Sequence, residues 1–262
     1  MNTVGFRQLE DRFPLTTEAL ENTVFTLPAS DLLEADNIVR LLDTYGPLIK
    51  ARDRSVAAAF FVSWYAGVCS AVQHMLFRGN ALVWDLSLSN LTIQLYAGDT
   101  FPLFSFKVNE MRSNPISILD RDVWCKQFLD LFYREQVTPL IRILSEQVHM
   151  NVMPLWGQII NAIYAQLEDE LAEAPDEASR ERIRDHFKTF TQGIEASAFG
   201  LRKNPFDRKQ RSIEHPTNPG HQIAMKNACC LAYCLDADFG YCYECPRLSE
   251  TDRLGMRMNS KS

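Results

Sequence analysis

Five of the seven cysteines fall between residues 229 and 245: Cys229, Cys230, Cys234, Cys242 and Cys245. Cys242 and Cys245 are separated by two residues, a spacing that lets one tight turn aim both sulfurs at a single metal ion while backbone N–H groups point inward. Gly240 stands just before that turn. A second pair drawn from Cys229, Cys230 and Cys234 would complete four thiolates. Glu10 and Asp11 occupy positions where a secretory start needs an apolar run, so the expected compartment is the cytoplasm, where thiols stay reduced and a disulfide framework is disfavoured. Spacing alone leaves two readings open: a structural zinc site on Cys230, Cys234, Cys242 and Cys245, or a [2Fe–2S] cluster, which also takes four thiolates. His215 and His221 lie just upstream and allow a mixed His/Cys site.

The adjacent Cys229-Cys230 pair is unusual for zinc ribbons. A vicinal pair followed by Cys-x2-Cys near the C-terminus resembles the ferric siderophore reductase (FhuF-like) family, whose motif is Cys-Cys-x10-Cys-x2-Cys. The matching residues are Cys229, Cys230, Cys242 and Cys245; eleven residues separate Cys230 from Cys242, and Cys234 is extra, a possible substitute ligand. More weakly, the Trp64-Tyr65-Ala66-Gly67 stretch is similar to the family's central helix, and Leu155-Trp156-Gly157 through Tyr164 to a later one. The resemblance implies a [2Fe–2S] cluster on those four cysteines and one-electron reduction of hydroxamate-type ferric siderophores. It also implies an external electron donor, a ferredoxin or a flavoprotein reductase. Tyr241 and Tyr243 are candidates to hydrogen-bond the sulfurs, and Asp236, Asp238 and Glu244 would lower the cluster potential. A zinc-stabilised binding module, or an iron or redox sensor on the same cysteines, are the alternatives. A peripheral position at the inner membrane stays open.

The elements that must position these thiols read as α+β and predominantly helical: a small antiparallel sheet packed on a helical bundle. Residues 1–29 read as loop or short strands. Ser30 can cap a helix that Gly46 and Pro47 stop near Tyr45. Ser55–Phe77 carries no Asp, Glu, Lys or Arg and is long enough to span a membrane, but its alanine content and Ser63, Ser70, Gln73 and His74 favour a buried core helix. Runs at 81–86, 91–96 and 101–106, bounded by Ser, Asn, Gly and Pro, predict a three-stranded meander. Helical periodicity follows from 120, with Thr138-Pro139, Pro154 and Pro175-Asp176 expected to open successive helices. The expected division is a body over 1–200 and a loop-rich, cluster-binding segment over 201–262, stapled to the body by its metal.

Composition is that of an ordinary globular chain: 262 residues, 46% hydrophobic and 23% charged. A formal net charge of −6 argues against nucleic-acid binding by charge. Within that acidic chain, residues 200–228 hold six bases (Arg202, Lys203, Arg208, Lys209, Arg211, Lys226) against Asp207 and Glu214. The stretch reads either as a solvated loop or as a positive rim for an anionic ligand or an acidic partner. No dinucleotide-binding, phosphate-loop, zincin or α/β-hydrolase signature occurs.

Overall fold

The computed structural model describes residues 5–259 apart from 80, 99, 118, 237 and 238. Its axis is α3 (Arg54–Phe77), the apolar helix anticipated above. Asp53 caps it, its carboxylate accepting from the N–H groups of Ser55 and Val56. The helix passes a length and composition test for a membrane span, and 72% of its apolar window is buried inside the protein. Against α3 packs α6 (Val152–Glu173), capped by Asn151. Inside that interface Glu170, fully buried, meets His74 and Arg78. A carboxylate without water needs such partners. α7 (Glu177–Lys188), capped by Asp176, lies beyond them.

The fold is α+β and predominantly helical, as anticipated, but the strands pair differently from the expected meander. β4 (Leu91–Ala97) and β5 (Pro102–Val108) form the predicted hairpin, with Leu91 opposite Val108. Their other neighbours come from residues 1–29: β2 (Thr23–Pro28) runs antiparallel to β4, and β1 (Leu15–Thr16) parallel to β5. The order is β1-β5-β4-β2. The 81–86 run supplies β3 (Leu82–Trp84), which leaves this sheet and pairs with β6 (Ser113–Pro115). Phe104 and Phe106 face α3, where Phe61 and Tyr65 meet them edge-on, and Tyr45 closes the same cluster.

Two expected boundaries moved. A short 3-10 turn occupies Ala29–Leu33, and α2 (Ala35–Leu48) runs through Gly46 and Pro47. Pro47 offers no N–H to the helix ladder, and the helix ends one residue after it. The stop comes later and without glycine: Lys50 adopts a left-handed φ of 52°, its N–H donates to Pro47 O, and the Ala51 N–H reaches back to Gly46 O. Thr138-Pro139 does begin a helix, with Pro139 in its first turn, but no break precedes it. α4 (Arg121–Phe132) continues through a π-helical turn, Tyr133–Val137, into α5 (Thr138–Gln147), and the Thr138 hydroxyl donates to Ala198 O instead of capping. The π turn aims Tyr133 into a buried cluster with Trp156, Phe190, Phe199 and Phe206.

One titratable group in this region sets a pH dependence. Burial lowers the His186 pKa from 6.5 to about 4, with Arg121 adding to the effect. Its Nε2 lies 3.1 Å from Gln73 Oε1 and its ring stands edge-on to Phe77. The unfolded chain takes up a proton near pH 6.5 that the folded chain refuses, so stability is fully present above that pH and falls as pH drops toward 4. His186→Gln should flatten this slope in denaturant titrations across pH 4–7; an equal slope in both proteins would contradict the assignment.

The C-terminal segment packs onto the helical body. β7 (Ser212–Glu214) and β8 (Gln222–Ala224) form a hairpin, and α8 (Glu250–Asn259) ends the described chain. Phe206, Cys229, Leu231, Leu235, Cys245 and Leu248 join the same hydrophobic core as α3 and α6.

Candidate metal centre

α6 clamps the first cysteine pair by its backbone. Asn161 accepts from the Asn227 N–H at 2.6 Å and donates to Ala228 O at 3.0 Å, and Gln158 Nε2 donates to Cys229 O at 3.0 Å. The approach is close because residue 157 is glycine: a Cβ there would fall 2.1 Å from the Ala228 Cβ. Leu231 then turns the chain with a left-handed φ of 65°, which brings its N–H to 3.4 Å from Cys229 Sγ. Such a backbone donor to sulfur is the kind of contact that tunes a metal thiolate.

The second pair forms the expected turn, the Cys245 N–H donating to Cys242 O at 3.0 Å. Arg253, only 4% exposed, holds it from below. Its guanidinium donates to the carbonyls of Tyr243, Cys245 (3.1 Å) and Leu248 (3.2 Å). The Lys226 N–H bonds Glu244 O, tying the two cysteine segments together.

This scaffold places Cys229 Sγ 3.4 Å from Cys245 Sγ and Lys226 Nζ 3.6 Å from Cys242 Sγ. Burial pushes the Cys229 thiol up to about 12, the Leu231 N–H opposing and the nearby Cys245 and Cys230 adding. Burial also raises Cys242, with Lys226 opposing and Cys230 and Cys245 adding. Cys230 and Cys245 thus lie within electrostatic reach of both Cys229 and Cys242. Cys234 belongs to different surroundings. Its carbonyl accepts from the Arg52 N–H at 3.1 Å, Leu235 bridges to Ala51, and its thiol acts on Arg52 and Tyr233. Among the described residues, no three His, Cys, Asp or Glu side chains already stand as a closed ligand set. No protein-family model and no curated protein matches the sequence significantly.

The donor set nevertheless suits a thiophilic metal group. Burial and neighbouring thiols disfavour ionisation of Cys229 and Cys242, and a bound cation is what reverses that preference. The expected sulfur donors differ from those found. The Tyr243 hydroxyl donates to Glu214 O at 2.6 Å, and the Tyr241 ring stacks on Tyr233 with centroids 4.5 Å apart. The groups that do reach sulfur are the Leu231 N–H and Lys226. Of the acids expected to lower the potential, Glu244 is 3.8 Å from Lys226, Asp236 donates its N–H to Lys50 O, and Asp238 lies outside the described residues. His215 and His221 pair with each other in the β7–β8 turn, ring centroids 5.7 Å apart.

Lys226 gives a direct prediction. A cation beside Cys242 favours the more negatively charged, reduced form of a bound redox group. Lys226→Gln should lower the midpoint potential in a spectroelectrochemical titration; a potential that stays or rises would show that the ammonium does not act on the thiol group.

Proposed function

We propose that Cys229, Cys230, Cys242 and Cys245 hold a [2Fe–2S] cluster and that the protein reduces ferric siderophores of the hydroxamate class. The observation that supports this reading is the Cys229–Cys245 sulfur contact at 3.4 Å, with Cys230 and Cys242 acting electrostatically on that pair from the same clamped segments, while the Cys234 carbonyl pairs with the Arg52 N–H. When bound, such a cluster supplies one electron per turnover, drawn from an external ferredoxin or flavoprotein reductase, and the chelated Fe(III) becomes Fe(II). Hydroxamate oxygens are hard donors that hold Fe(III) far more tightly than the softer Fe(II), so a single electron releases the iron.

The chain's own part is to hold, shield and bias. The Asn161–Gln158 clamp and the Arg253 anchor fix both cysteine segments to the core, so the thiols need little rearrangement between redox states. Buried Cys229 and Cys245 face inward, while half-buried Cys230 and Cys242 stand nearer the surface where a chelate or a donor can approach. Lys226 supplies positive charge on that side.

The test is a single-turnover assay. Anaerobically purified protein is reduced with dithionite, freed of excess reductant and mixed with a ferric trihydroxamate in the presence of an Fe(II) chelator. The expected result is about one Fe(II) captured per cluster, as a one-electron carrier requires. A cluster that stays reduced in the presence of the chelate would overturn the reductase reading in favour of a sensor.

A further inference from the structure

Next to the Cys242–Cys245 turn, an open pocket of about 770 Å³ lies between the β7–β8 hairpin and α8. That is within the usual range of small-molecule sites. Tyr243 is shared by the two. It sits inside the Cys242–Cys245 turn, lines the pocket, donates its hydroxyl to Glu214 O and gives its carbonyl to Arg253, which lines the pocket too. The wall between pocket and thiols is thus the turn itself.

The charge on this wall is uneven. Arg257 is paired with Glu214, and Arg253 is spent on three carbonyls with Glu250 at 3.5 Å. Lys209 and Arg211 also line the pocket, are exposed, and have no acidic partner among the described residues. They belong to the basic stretch 200–228, which carries six bases against two acids. Ser212 and Gln222 add polar groups at the same mouth.

We infer that this pocket docks the ferric chelate and selects chelates bearing free carboxylates, a substrate preference that rests on the reductase reading above. A ferric trihydroxamate core is neutral, three hydroxamates balancing Fe(III), so the pendant groups decide the sign of the complex. Lys209 and Arg211 attract a negative pendant group and repel an ammonium.

A matched series isolates the pendant charge: desferrioxamine B with its free ammonium, its N-acetyl derivative and its N-succinyl derivative. Loaded with gallium(III), which has the charge of Fe(III) and no accessible divalent state, these bind without being reduced. Calorimetric titration into the purified holoprotein should give the tightest binding for the succinyl complex and the weakest for the ammonium complex. Two uncompensated surface charges imply about a fivefold spread, shrinking with added salt. Lys209→Glu/Arg211→Glu should reverse the order, and Lys209→Gln/Arg211→Gln should level it, both with the metal content of the parent. Equal affinities across the series, an order favouring the ammonium complex, or an order that survives both double variants would overturn the inference. So would no binding at all to a protein with its full iron and sulfide, an outcome that leaves the cluster reading standing. Absence of iron and sulfide from the purified protein would instead remove that reading and this inference with it.

Discussion

Cys229→Ser and Cys245→Ser should each yield protein that has lost its metal, whereas Cys234→Ser should load as the parent does. The two sulfurs 3.4 Å apart are the buried half of the thiol group, and neither has another cysteine within its own segment that could replace it without moving the clamped backbone. Cys230 is adjacent to Cys229, but the Gln158 bond to Cys229 O and the left-handed Leu231 fix which way each side chain leaves the chain. Cys234 has contacts of its own: its carbonyl accepts from the Arg52 N–H, and the next residue, Leu235, bridges to Ala51. Iron and sulfide analysis of the three variants, purified in parallel under nitrogen, checks this. Loss of the metal group in Cys234→Ser with retention in Cys229→Ser would reassign the ligands.

Arg253→Met should be the most damaging substitution outside the cysteines. Methionine fills much of the volume but leaves the carbonyls of Tyr243, Cys245 and Leu248 without their donor. A buried acceptor left unsatisfied costs about 1–3 kcal/mol, and hydrogen bonds from a charged donor sit at the upper end, so a loss of about 3 kcal/mol or more is expected. Because the lost bonds hold the Cys242–Cys245 turn, metal loading should fall along with stability. Arg253→Lys should recover only part of both, since an ammonium cannot reach three carbonyls with a planar fork. Chemical denaturation together with metal analysis reads the two effects. A variant with parental stability and a full metal complement would show that the turn does not depend on this arginine.

The Cys242–Cys245 turn was legible in the sequence because its signal is local, and the vicinal Cys229-Cys230 pair marks the second cysteine segment that packs beside it. The long apolar helix was legible for the same reason, its composition being continuous from Ser55 to Phe77. Strand partners were not. β2 and β4 lie far apart in the chain, and nothing in Thr23–Pro28 names Ile93 or Gln94 as its neighbours. The groups that hold the thiols were equally hidden. Gln158 and Asn161 look like ordinary polar positions on a helix, and Arg253 looks like a solvated charge on a short amphipathic one. Only Gly157, a glycine inside a helix, left a trace: it marks the close approach of another backbone, here at Ala228. Proline was an imperfect guide: α2 runs one residue past Pro47, and Pro139 stands in the first turn of α5 but follows a π-helical turn in place of a break.

The central claim is that four thiols of this chain carry an iron–sulfur group. Quantifying iron, zinc and acid-labile sulfide in anaerobically purified protein, with visible absorption and electron paramagnetic resonance spectra before and after dithionite, tests it directly. The account predicts a red-brown protein with about two irons and two sulfides per chain and a paramagnetic signal on one-electron reduction. A colourless protein with one zinc and no sulfide would contradict it and make the cysteines a structural zinc site.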